Sequence, residues 1–221
     1  MFSDSIYERT GSATMTREGY IRAVAFFTLL EALFVAAGSM TTYAWQPSWV
    51  LIVGSFIVSI VCIFIFTGSD NPLISGLGVS GMSLALGAMM GPLVALYKAP
   101  VVMEAVVLTA GVMGVMSVLG ILFPKTFEGW GPYLMAGLVL LIVAQFGQLL
   151  LLALGFQGAA HMPLITWFGV IVFVGLVAFD WSRALEIPYT MDNAIDASGG
   201  LILDAVNLFI RILELLGHSK D

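Results

Sequence analysis

The sequence predicts an all-α integral membrane protein with seven transmembrane helices, and three observations predict it. Of 221 residues, 60% are apolar and only 10% are charged, which leaves too little polar surface for a water-soluble domain. Seven stretches each supply a mostly apolar run of about 17 to 25 residues, the length that crosses a bilayer core as a helix. The runs are continuous rather than alternating at every second residue, as the strands of an outer-membrane barrel would; helices satisfy their own backbone hydrogen bonds in lipid.

Residues 1–20 read as a polar tail, with one seven-helix domain over 21–216 and a short tail over 217–221. The chain opens without a short apolar core and small-residue cleavage site, so the first span, Ile21–Tyr43, is expected to act as its own insertion signal. That span carries Glu31 at its middle. Gln46-Pro47 ends the link to the second, Trp49–Phe66, which holds Cys62, the only cysteine. No disulfide within the chain follows, and Cys62 reads as a small buried hydrophobe. Asn71-Pro72 starts the third, Leu73–Tyr97. There Ser83, Gly87 and Gly91 recur at every fourth position and clear one face for close helix packing, and Gly76 with Ser80 repeat the pattern nearer its start. The alternative for Gly91-Pro92 is a kink beside a pathway.

The fourth span, Val101–Phe123, has Glu104 near its start and small residues at Gly111 and Gly114. Gly129-Trp130-Gly131-Pro132 leads into the fifth, Tyr133–Phe156, and Met162-Pro163 into the sixth, Leu164–Trp181. The seventh, Ala194–Leu216, carries Asp204, Asn207 and Arg211. Trp45, Trp49, Tyr97, Trp130, Tyr133 and Trp181 lie near span ends, where amphipathic rings prefer the interface. Links this short make successive helices antiparallel neighbours. No internal repeat of the transporter kind is visible.

Charge places the ends. With the N-terminus inside, the inner segments hold Arg9, Arg17, Arg22, Lys125 and Arg183, against Lys98, Lys220 and Arg211 outside, a bias toward a cytoplasmic N-terminus. The net charge of −6 comes from acids spread between Asp4 and Asp221 and carries little weight, and eight basic residues form no patch for nucleic acid. Lys98, Lys125 and Lys220 all fall outside span centres, so no helix offers a Schiff-base amine for retinal. His161 and His218, in a loop and a tail, read as solvated rather than as metal ligands, and no resident cofactor is expected.

Acids at membrane depth point to function, because an intramembrane carboxylate is expensive and faces a cavity or a partner. In an antiparallel hairpin, residues at equal depth have numbers of constant sum. Asp180 and Asp204 are symmetric about Asp192, inside the last polar link, so the sixth and seventh spans bring the two acids level. Two carboxylates in one place cannot both ionise cheaply; they share a proton and titrate in two separated steps, which makes a pH switch. Asn207 and Arg211 follow Asp204 at i+3 and i+7 and extend a polar stripe on one helix face. Arg211 is expected to snorkel to the outer interface. Glu31 is a candidate for the same cavity, and Glu186, Asp192 and Asp196 make one mouth acidic, which favours cations.

Three blocks then resemble a known family. They are Thr109-Ala110-Gly111-Val112-Met113-Gly114-Val115-Met116-Ser117, the stretch Gly169 to Asp180, and Leu203-Asp204-Ala205-Val206-Asn207-Leu208-Phe209-Ile210-Arg211-Ile212-Leu213. Together they resemble the Bax inhibitor family of transmembrane proteins, especially its bacterial members, from about the third span to the C-terminus. The resemblance implies a fold with the last helix surrounded by the other six, in a bacterial inner membrane. It implies a pH-sensitive calcium leak whose sensor aspartates fall on Asp180 and Asp204. It also implies a basic partner in the second helix, yet Trp49–Phe66 contains no Lys or Arg.

The expected function is therefore a pH-gated leak for calcium or another cation, with a proton-coupled exchanger as its variant. The alternative is a membrane-embedded regulatory protein that binds a membrane protease or channel and transports nothing itself. An intramembrane aspartyl protease also uses two such acids, but it places Gly-x-Gly-Asp around the second, where this chain has Leu201-Ile202-Leu203-Asp204; no enzymatic activity is expected.

Overall fold

A computed structural model describes residues 14–156, 158 and 162–218, and all regular structure among them is helical. The helices are α1 Arg17–Thr42, α2 Trp49–Thr67, α3 Pro72–Val94, α4 Ala99–Leu122, α5 Pro124–Glu128, α6 Gly131–Ala153, α7 Pro163–Ala184 and α8 Met191–His218. Six of these are long and apolar enough to cross a membrane by composition alone: α1 to α4, α6 and α7. The seventh expected span corresponds to α8, whose 28 residues extend about 42 Å but include Asp192, Asp196, Asp204, Arg211 and Glu214. The short α5, with Lys125 in it, was not legible as a helix; Phe123-Pro124 starts it. Arg9, His161 and Lys220, and the side chain of His218, lie outside the described residues.

Local chemistry sets the helix starts. Thr16 caps α1, accepting from the Gly19 N–H at 3.1 Å, and Ser48 caps α2 through the Leu51 N–H at 3.2 Å. Asn71 Oδ1 accepts from the Leu73 N–H at 2.9 Å, with Pro72 following in the first turn of α3. Thr190 does the same for α8 through the Asn193 N–H at 3.2 Å. The α1 cap corrects the expected boundary of the polar tail: residues 17–20 are already helical, and Tyr20 is fully buried. Its ring stacks on Tyr189 at 4.9 Å and its hydroxyl donates to the Asn193 carbonyl at 3.2 Å.

The chain forms two compact units: residues 1–98 with 183–203, and residues 99–182 with 204–221. In the first, α3 is the packing centre. Added Cβ atoms on Gly38, Gly87 or Gly91 would strike backbone across the α1–α3 seam, where the Thr42 hydroxyl also donates to the Ala88 carbonyl at 2.8 Å. Gly78 and Gly199 leave room for the Phe66 side chain from α2. The expected small-residue face over Ser83, Gly87 and Gly91 is therefore a helix–helix contact. Gly76 is not part of it and meets nothing within 4 Å. Helix α3 runs through Pro92 to Val94 without a break.

In the second unit the close approaches centre on α7. Gly120 admits α7 at Ala178, Gly131 faces the Phe179 ring, and Gly175 faces Leu134 of α6. Gly111 and Gly114, the small residues that hydropathy reading picks out on α4, face open space. Helix α6 fully buries only Gly131 and Leu141, half-buries Leu134, Leu138, Ala144 and Leu152, and exposes most of its remaining apolar surface. Trp45, Trp49, Trp130 and Tyr133 are exposed as interfacial rings should be, but Trp181 is 3% exposed and belongs to the core.

Candidate functional site

Asp180 and Asp204 both fall in the second unit. The end of α7 is embedded: Val172, Phe173, Leu176, Val177, Ala178, Phe179 and Trp181 are all buried, and Asp180 is the half-buried polar residue among them. Asp204 is 6% exposed, and its Oδ2 has no hydrogen-bond partner. The two carboxylates are near enough for the charge of Asp180 to act on Asp204. Val206 and Leu208, which follow Asp204 in α8, are each at most 5% exposed. In so apolar a setting an orphaned carboxylate oxygen is costly unless it carries or receives a proton.

Arg211 does not snorkel. It is 5% exposed, and its guanidinium lies 5.6 Å from the centre of the Phe173 ring, over Gly169 of α7. Any side chain at position 169 would collide with it. The physical reason is local: a glycine on the facing helix opens a pocket, and the aromatic face and Glu214 one turn on supply electrostatic compensation. Asn207 is half-buried on the same face of α8.

Glu31 is 1% exposed in the first unit. It contacts α3, where its Oε1 accepts from the Ser80 hydroxyl at 3.0 Å. Asp192 and Asp196 are not a solvated rim. Asp192 is 6% exposed and accepts from the Ser75 hydroxyl at 2.7 Å. Burial pushes its carboxyl above the ordinary value, the Ser75 bond pulls it back, and the charge of Asp70 adds to the rise. Asp196, one turn on, lies in electrostatic range of Asp70 and Asp192. Glu186 and Glu104 are exposed. Among the described residues no group of three or more His, Cys, Asp or Glu side chains is arranged to hold a metal ion.

Sequence reasoning missed four contributors. Ser75 was unremarked, Ser80 and Ser83 read only as packing residues, and Gly169 read only as part of a motif. Glycine spacing on α7 was the available signal for the last of these.

Comparison with known proteins follows from this geometry. The sequence model of a family described as inhibitor of apoptosis-promoting Bax1 matches residues 17–221. The inner membrane protein YbhL of Escherichia coli K12 is 25% identical over 235 aligned positions, covering 99% of this chain and 97% of that one. A Golgi anti-apoptotic protein of vaccinia virus (strain Lister) is 30% identical over 195, covering 87% of this chain and 79% of the viral one. A BI1-like protein of Arabidopsis thaliana is 28% identical over 142, covering 63% and 54% respectively.

Proposed function

This chain belongs to the Bax inhibitor family of integral membrane proteins, and on that premise we propose that it is a pH-sensitive leak for calcium or another cation. The observation that carries the reading is Asp204: a buried carboxylate in α8, with an unpartnered oxygen, in electrostatic range of Asp180. A single proton held between the two removes one of their two charges and joins α7 to α8. Loss of that proton leaves two like charges in an apolar surround, and the packing that separates them gains population. The separated carboxylates then attract a cation, which is cargo and not a resident cofactor. Because α2 carries no basic residue, the closing contact in this reading is the shared proton itself rather than an ion pair. Asn207 and Arg211 extend the polar face along which the ion passes.

Calcium flux into proteoliposomes tests this. Flux should change by tenfold or more across the titration of the pair, and Asp204→Asn and Asp180→Asn should each remove the pH dependence. Flux indifferent to both pH and these substitutions overturns the reading.

The same reading sets this chain in a bacterial inner membrane with its N-terminus in the cytoplasm; its similarity to an inner membrane protein of Escherichia coli and the distribution of basic residues along the sequence support it. A cysteine introduced at the exposed Glu186 should then resist a membrane-impermeant thiol reagent in intact cells and react once the membrane is permeabilised, in a Cys62→Ser background; labelling in intact cells reverses the topology.

A second reading is a regulatory membrane protein without transport of its own, in which the aspartates only hold the hairpin. The viral relative's anti-apoptotic name favours it. Stable copurification of one membrane partner together with silent flux would select it. No enzymatic step is proposed, since Leu201-Ile202-Leu203 precedes Asp204 in place of a glycine-flanked motif.

A further inference from the structure

The first unit buries a second carboxylate that the aspartate pair does not use. Around Val35 to Thr42, α1 and α3 approach backbone to backbone through Gly38, Gly87 and Gly91. One turn toward the start of α1, the facing positions on α3 are Ser80 and Ser83 instead of glycine, and Glu31 sits opposite them. Glu31 is 1% exposed and Ser83 is fully buried.

The hydrogen bonds of this cluster are incomplete in a specific way. Ser80 donates to Glu31 Oε1 at 3.0 Å. Glu31 Oε2 and Ser83 Oγ are both buried without a hydrogen-bond partner, and Ser83 is near enough to act on the Glu31 carboxyl. An ionised carboxylate would draw the Ser83 hydroxyl as a second donor. A neutral acid instead carries its own hydrogen on Oε2 and can give it to Ser83 Oγ, which closes the account for both orphaned atoms. The helices that meet in this seam bring no cation to its level: α2 and α3 contain no Lys, Arg or His, and the basic residues of α1 are Arg17 and Arg22 near its start. Of the other described acids of the unit, Asp70, Asp192 and Asp196 gather about Ser75, at the opening turn of α3, Glu18 lies in the first turn of α1 beside Arg22, and Glu186 is exposed. Ser80 is only partly buried, which gives a proton a way in.

We propose that Glu31, Ser80 and Ser83 form a proton-binding site in the α1–α3 seam, built entirely within the first unit and independent of Asp180 and Asp204. The exchange is a simple one: the carboxyl gives up its proton to water, Ser80 continues to donate to Oε1, and the Ser83 hydroxyl turns to donate to the carboxylate left behind. The site binds H⁺ without a metal ion and without covalent change.

Infrared difference spectra between low and high pH test it, recorded on the full chain in lipid with Asp180→Asn and Asp204→Asn present so that those carboxyls are silent. The expected result is a protonated-carboxyl band that loses one equivalent per chain in Glu31→Gln. The same band should be displaced, not lost, in Ser83→Ala, which keeps the acid and removes its acceptor. A spectrum unchanged by Glu31→Gln overturns the proposal, as does a band unmoved by Ser83→Ala. A band that follows sodium concentration at fixed pH also overturns it, by making the ligand a metal cation. Because the aspartates are already neutral in this background, failure here leaves the leak reading standing, and failure of the leak leaves this site standing.

Discussion

A guanidinium carried inward by a helix needs space and compensation, and at Arg211 both come from single residues: the missing side chain of Gly169 and the ring of Phe173. Asp192 shows the same economy for an acid, with one short bond from Ser75. Its sign with pH follows from linkage. Burial raises the folded-state value above the ordinary one, so the folded state binds the proton more tightly than the unfolded chain does. The stabilisation is complete below the ordinary carboxylate range and is lost as pH rises through the raised value. Protection from hydrogen exchange over residues 72–79 and 191–199, taken relative to the intrinsic rate at each pH, should therefore fall as pH rises from about 4. Asp192→Asn, which still accepts from Ser75, should flatten that profile with Asp70 and Asp196 left in place; an unchanged profile would assign the dependence to those neighbours. Neither environment was legible in the sequence, because a charge near a span end is compatible with solvent until a facing residue is known.

At the scale of elements, glycine spacing has different meanings on different helices. Gly87 of α3 lies against the Val35 backbone, whereas Gly111 and Gly114 of α4 face nothing within 4 Å. Backbone cannot move aside as a flexible side chain can, so Gly87→Ala should cost at least about 2 kcal/mol. Gly111→Ala should be neutral or stabilising by roughly 0.5–1 kcal/mol, the usual gain of alanine over glycine within a helix. Thermal unfolding in detergent distinguishes the two, and equal effects would contradict the packing described. The repeat at Ser83, Gly87 and Gly91 was readable as a helix contact, but its partner α1 was not, since a small residue advertises room without naming what fills it. Gly38, the matching glycine on α1, carries no spacing signal of its own. The expectation that Asp180 and Asp204 lie level comes from the arithmetic of a hairpin, which speaks to depth alone. Which way each side chain turns is a matter of helix rotation, and the fit of Gly120, Gly131 and Gly175 against their neighbours sets it for α7.

Over the whole molecule, lipid takes the part that water plays for a soluble domain. Phe146, Val143, Leu150 and Val139 of α6 are 58% to 69% exposed, a surface only a bilayer solvates. Val143→Arg, near the middle of α6, should cost about 2.5–3.5 kcal/mol in membrane insertion, while Val143→Leu should cost nothing measurable; inserted yield in a membrane-integration assay reads the difference. Equal yields would place α6 against water or protein. Hydropathy by itself determined the class, the six strongly apolar spans and their limits to within a few residues, because the length of a helix in lipid is dictated by the thickness it must cross. It also determined that α8 differs from the rest, being as long but marked by Asp204 and Arg211. Only tertiary structure decided what those marks mean. Burial is a property of neighbours, and the neighbours that enclose Arg211, orphan an oxygen of Asp204 and set Glu31 against two serines are drawn from helices far away in the chain.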